Sequence, residues 1–348
     1  MAEELSAAPP RLTPLPRLDP GSLPMAAELG LEPDYCPGRQ KGGRAQGLIT
    51  LASFLDQRSR SYQSGLSSPN TADVSCSRLS PHLSWGSLSM REVVQKSRLR
   101  RQALAVAPWR RSLQRFDERL HWHCHFIQKL ECQPSLEYSE LHHLTAGLRE
   151  SNHERLAAWA EGRTGLPFVD ACMRSLNETG WLNFRMRAML LSVASYQLWI
   201  PWRESGLHLA RQFVDYEPGI HWSQCQMQSG TTGINTIRIY NPLKQGLDHD
   251  PEGVFIRRWL PELAAVPPVY LHTPWTMDGR SQARLGIEIA RSYPLPLIDW
   301  HTAAAVARER VWALRQQHGS RRSGMRSSSS GRRCKLPIDQ LCLDFEGN

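Results

Sequence analysis

An all-helical core is what this sequence predicts, on three observations. Apolar residues recur at three- and four-residue spacing from Leu48 onward. Between Ser89 and Tyr293 that period dominates, with Ser, Pro and Gly where helices begin and end. No strand–helix–strand alternation is visible and no G-x-G-x-x-G follows a strand, so a Rossmann-type dinucleotide site has no support.

Taken in order, residues 1–45 are rich in Pro, Gly and Ala and read as a flexible or loosely packed arm. Leu48, Leu51, Phe54 and Leu55 then share one helical face. Residues 63–77, Ser/Asn-rich with Pro69, read as a loop. Ser89 caps the next helix, and Glu92 three residues on completes a capping box. Residues 114–130 mix charged and apolar positions at helical spacing. Pro167 opens the helix over 166–176, at the position where its missing N–H costs nothing. Residues 182–198 are strongly apolar yet hold Arg185 and Arg187; helices over 207–214, 254–263 and 302–317 follow. Residues 216–242, with Pro218 and several Gly and Thr, read as irregular. The basic Ser/Arg-rich tail over 318–348 reads as disordered, with affinity for phosphate.

Composition narrows the setting. A formal charge of +9 over 348 residues favours a polyanionic partner, nucleic acid or an anionic membrane surface, though a basic soluble protein without one has the same balance. Eight cysteines without a C-x-x-C pair fit free thiols in a reducing compartment. Neither a secretory signal nor an apolar run long enough to span a bilayer is present, so a cytoplasmic protein without a membrane partner is expected.

Three stretches carry more than helix: SCSRLSPHLSWG (75–86), WAEGRTGLPFVDACMRSLNETGWLNFRMRAML (159–190) and RIYNPLKQGLDHDPEGVFIRRWLPEL (238–263). A Ser-rich turn feeding a helix offers hydroxyls and free N–H groups that suit a diphosphate, and equally a simple helix cap. Two arginines in an apolar helix need anionic partners. His121 and His125, four apart, share a helical face, but with Cys124 and Cys132 they match no standard zinc spacing, so no metal is expected. The cysteine spacing supports no four-cysteine iron–sulfur cluster either.

In order, spacing and wording, these stretches resemble the helical FAD-binding domain of the DNA photolyase/cryptochrome family, over roughly residues 46–317. The resemblance implies FAD as cofactor, held by Tyr62, Ser77, Leu79, Ser80, Arg187, Asp215, Glu217 and His221. Leu79 and Ser80 would act mainly through backbone, Arg187 would pair with Asp215 beside the flavin, and Glu217, usually Asp in the family, would lie near the ribose. His221 stands where the family has an asparagine at flavin N5, able to donate a hydrogen bond or exchange a proton there. Trp122, Arg185, Met227 and Arg238 match positions that meet DNA, damaged duplex or single strand.

Departures from the family pattern are as informative. Trp202 matches the middle tryptophan of the family's electron relay, so Trp202 and His221 are the candidate catalytic residues. The position nearest the flavin is Cys225, and the outer one, near Glu150, has no Trp. Trp222, Trp199, Trp181 and Trp259 are the candidates to substitute, against core packing as the bland alternative. In WHCHF (122–126) Cys124 replaces a lesion-binding Glu, and Met227 replaces an aromatic that stacks on damaged bases. Some 45 residues before the flavin domain cannot form the family's N-terminal antenna domain, so no antenna chromophore is expected in this chain; a separate antenna partner is left open. The resemblance thus implies light-driven repair of pyrimidine photoproducts by electron transfer from reduced FAD. The rivals are a cryptochrome-like blue-light sensor without repair and a degenerate FAD-binding fold.

Overall fold

The computed structural model describes residues 16–17, 19, 21–31, 36–232 and 237–322, without the side chains of 315–322. Much of the expected arm, most of the expected tail, and Cys334 and Cys342 lie outside the described residues.

Sixteen α-helices follow one another in the described residues: α1 Arg44–Asp56, α2 Tyr62–Gly65, α3 Pro69–Ser75, α4 Ser80–Ser84, α5 Met90–Ala103, α6 Ala107–Cys132, α7 His153–Ala160, α8 Pro167–Thr179, α9 Phe184–Ser192, α10 Trp202–Gln212, α11 Pro218–Ser229, α12 Pro242–His249, α13 Val254–Trp259, α14 Pro268–Leu271, α15 Gly279–Leu285 and α16 Trp300–Arg322. No strand forms among them; one isolated bridge joins Ile289 to Tyr293. No helix there is long and apolar enough to cross a membrane.

Two predicted irregular stretches are partly helical. Within 63–77, the Ser68 hydroxyl accepts from the Asn70 N–H and Pro69 takes the first helical position, which starts α3. Within 216–242, Pro218 opens α11 and Gly230, at φ +75°, closes it. The polar residues of α11 hid its helical period, because the helix is buried on several sides at once: His221, Trp222, Gln224, Cys225 and Gln226 are all buried. Ser89 does cap α5, but only half the predicted box forms. The Glu92 carboxylate turns instead to Arg44 and Lys96.

Two hydrophobic clusters hold the helices. The larger joins α8, α9, α10, α11 and α13 around Phe168, Met189, Trp222 and Leu260. The smaller packs Leu51, Phe54 and Tyr62 against Val93, Val94, Phe116 and Leu120. The 26-residue helix α6 reaches from this smaller cluster to α11. There the backbones nearly touch: a Cβ on Gly219 would lie 2.7 Å from the Phe126 carbonyl oxygen.

Parts of the long motifs are clasps. The buried Asp170 carboxylate accepts from the Thr164 N–H (2.8 Å) and hydroxyl (2.6 Å), the Gly165 N–H (3.0 Å) and the Tyr293 hydroxyl, fixing the entry to α8. Burial pushes this carboxyl up to about 6. Gly165 is obligatory there, at φ +78° with the Leu295 carbonyl where a Cβ would be. Asp250 does the same for α13, accepting from the N–H groups of Phe255 and Ile256 and from the Asn70 amide.

Candidate cofactor and nucleic-acid site

The helices leave one large cavity of about 1030 Å³ between α2, α4, α6, α9, α11, the segment 237–245 and α16. That is the upper end of the usual range for small-molecule sites. Of the residues expected to meet cofactor or DNA, Tyr62, Ser77, Ser80, Arg187, Asp215, Glu217, His221, Trp122, Arg185 and Arg238 line it. Leu79, Met227 and Trp202 do not. Leu79 is a core side chain whose N–H lies 3.4 Å from the Ser77 hydroxyl. Met227, half-buried, precedes the lining residue Gln228 and is turned about 100° from it around α11. Trp202 is buried behind the wall.

The turn before α4 is shaped by side chains from elsewhere. Arg58 donates to the carbonyls of Thr50 (3.0 Å), Ser77 (3.1 Å) and Cys76, and Gln40 donates to the carbonyl of Arg78 (2.9 Å). Three consecutive carbonyls, 76 to 78, are thus held by side chains, and each planar peptide points its N–H the opposite way. Arg78 at φ +59° followed by Leu79 in the right-handed region makes the alternation that gathers N–H groups into an anion-binding concavity. Arg78 stacks over Trp181, 3.9 Å from the ring centroid.

Also in the lining, Arg187 and Asp215 form a two-pronged ion pair at 2.9 and 2.8 Å, with the Asp215 side chain only 4% exposed. The Leu182 carbonyl accepts from Arg187 Nε, and the guanidinium lies 4.0 Å from the centroid of the Phe213 ring, so its position is fixed on three sides. Burial raises the Glu217 carboxyl from its ordinary value, against an opposing hydrogen bond from the Gly219 N–H.

His221 differs from the sequence expectation in one respect. Its Nε2 lies 2.8 Å from the Gly206 carbonyl, which can only accept, so the proton is on Nε2. Burial lowers the ring to about 4. The side chain is therefore neutral and its Nδ1 carries a lone pair. Its donor is spent on Gly206, so the expected hydrogen-bond donation toward a flavin gives way to acceptance. Behind it, Trp222 contacts His221 edge-on at 4.8 Å and Trp202 at 5.8 Å, and the Trp202 N–H donates to Glu140 at 3.2 Å. Of the four tryptophans that sequence left open, Trp222 stands between His221 and Trp202.

Several lining residues were not singled out from sequence. Arg119 and His123 share the α6 stripe of Phe116, Leu120 and Phe126, a helical spacing that could have flagged them. Both ring nitrogens of His123 are shielded from solvent without a partner, which points to an occupant that supplies one. Its neighbours in HWHCH point elsewhere: His121 bonds the Asp117 carbonyl and His125 packs edge-on against Trp122. Lys244, Arg308 and Trp312 come from α12 and α16, and their place at the cavity is set by chain folding alone.

A half-open cavity lined by the turn before α4, by an arginine–aspartate pair and by a histidine without a hydrogen-bond partner marks a helical ligand-binding domain. The chain belongs to the DNA photolyase family: the model for the FAD-binding domain of DNA photolyase matches residues 116–313, more than half of it. It is 33% identical over 338 residues to a cryptochrome DASH of Gloeobacter violaceus, covering 92% of this chain and 65% of that protein. To a deoxyribodipyrimidine photo-lyase of Streptomyces griseus it is 32% identical, covering 77% of this chain and 56% of that one. Among solved structures, a Synechocystis cryptochrome superposes with a TM-score of 0.78 at 26% identity, over 86% of this chain and 62% of its own. A class III photolyase from Agrobacterium tumefaciens gives 0.73 at 27%, over 79% and 56%. This chain thus spans less than two thirds of the length of each of these relatives. FAD is its cofactor.

Proposed function

We propose that this protein repairs pyrimidine photoproducts in DNA, using light and reduced FAD. The observation that carries the reading is a surplus of positive charge at the cavity. Six basic residues, Arg119, Arg185, Arg187, Arg238, Lys244 and Arg308, line it against two acidic ones, Asp215 and Glu217. Arg187 is paired with Asp215 and Lys244 with Asp248, whereas Arg238 and Arg308 meet no carboxylate among the described residues. Those two suit a polyanion, the backbone of a DNA strand, whose affinity would fall with salt.

Bound reduced FAD would supply the light-driven one-electron chemistry for splitting the photoproduct. The chain's own residues hold and enclose. The 77–80 turn and the Arg187–Asp215 pair orient the cofactor, and Glu217 offers its carboxyl to the cofactor's hydroxyls. Neutral His221 presents an acceptor and no positive charge. Trp122, which packs against Phe126 at 5.9 Å, offers an aromatic face to an extruded base, with Arg185 and Arg238 on the phosphates. The test is to illuminate the FAD-loaded protein with ultraviolet-damaged DNA. Dimer loss in light and none in the dark is the expected result. Flavin photoreduction without dimer loss overturns repair and leaves a blue-light sensor.

A further inference from the structure

We infer that α16 adds a nucleic-acid contact at the lip of the cavity: Trp312 stacks on the nucleotide flanking the extruded one, and Arg308 grips its phosphate. The inference rests on the proposed DNA function and extends it to a helix outside the three motifs.

Geometry carries it. Ala307 and Val311, 1% and 3% exposed, dock α16 onto Tyr196 and the short π-helical turn Val193–Gln197. Arg308 and Trp312 follow each by one residue, lie four apart, and so share the adjoining face, which borders the cavity. Trp312 is 52% exposed although it lines a concave site. A half-exposed tryptophan at such a mouth leaves a large aromatic face in water, which is unfavourable until something flat covers it.

Charge names the occupant. Arg238 and Lys244 line the same cavity, and neither Arg238 nor Arg308 pairs with a carboxylate among the described residues. Aromatic faces set among cations are how proteins hold single-stranded nucleic acid, since every base has a face to stack and every nucleotide a phosphate. A flavin alone would not call for this lip. The cofactor's anionic part is met by the turn before α4, whereas Arg308 and Trp312 come from the chain's last described helix. An acidic peptide would use the arginines and leave the ring without a function.

The experiment uses the full chain loaded with FAD and a fluorescent oligonucleotide holding one thymine dimer. Binding is followed by anisotropy as salt is varied, and flavin content by visible absorbance. Trp312→Ala is expected to weaken binding roughly tenfold, and Trp312→Phe, which keeps a stacking ring, to recover most of it. Arg308→Ala is expected to reduce the slope of log affinity against log salt by about one. Flavin content stays at the parent level in all three. Equal affinity of the parent and Trp312→Ala overturns the inference while leaving the DNA function intact. So does loss of flavin from Trp312→Ala, which would make the tryptophan a cofactor contact. A parent that does not bind the oligonucleotide overturns both.

Discussion

Acidification offers a quantitative test of the buried imidazole beside the flavin cavity. His221 is 7% exposed, and burial lowers it from 6.5 to about 4. In the unfolded chain the ring protonates near 6.5, while in the folded protein it stays neutral until about 4. The folded state is therefore favoured fully above pH 6.5, and the advantage is lost as pH falls from 6.5 to 4. At about 1.4 kcal/mol for each pH unit, a window from 6.5 to about 4 amounts to roughly 3 kcal/mol. His82, His123, His125, His208, His249 and His272 are lowered too, so the parent's acid sensitivity is a sum. His221→Asn isolates the one ring: urea unfolding of the flavin-free parent and variant is compared every half unit from pH 4 to 8. Their stabilities should differ by a constant above pH 6.5 and converge or cross by about 3 kcal/mol below it. Parallel curves across the whole range would refute a neutral, buried His221.

Three further outcomes follow from the same geometry. Arg187→Met strands the Asp215 carboxylate, 4% exposed, without its cation and should cost about 3–5 kcal/mol in urea unfolding; adding Asp215→Asn should restore most of it, and a single variant as stable as the parent would contradict the pairing. Gly219→Ala sets a Cβ 2.7 Å from the Phe126 carbonyl oxygen and 2.8 Å from the Ile127 Cα, so overpacking of about 1–3 kcal/mol should outweigh the helix-propensity gain and weaken FAD retention, as thermal unfolding and flavin release would report. Phenylalanine at Trp202 or Trp222 should slow photoreduction of bound oxidised flavin at least about tenfold without changing flavin content, given their edge contact at 5.8 Å and a tenfold rate change for about 1.4 kcal/mol of barrier; an unchanged rate removes that residue from the electron route.

By itself the sequence determined the helical class and the cofactor. Apolar period, proline at first turns and serine caps are local properties that act within a few residues, so α1, α5, α8 and α16 could be read from neighbours along the chain. The three motifs led to FAD, even though Asp170 and Asp250 within them turn out to clasp helices. Only the tertiary structure decided what depends on distant segments meeting. Helix α11 escaped detection because its burial comes from several neighbours, which erases the one-sided pattern that marks a surface helix. The state of His221 rests on a carbonyl fifteen residues away, and the position of Trp222 between His221 and Trp202 on aromatic contacts across two helices. Arg58 and Gln40 shape the 76–80 turn from outside it, and α16 reaches the cavity from the far end of the domain. Periodicity reports which face of a helix is buried; what lies against that face is fixed only when the chain closes on itself.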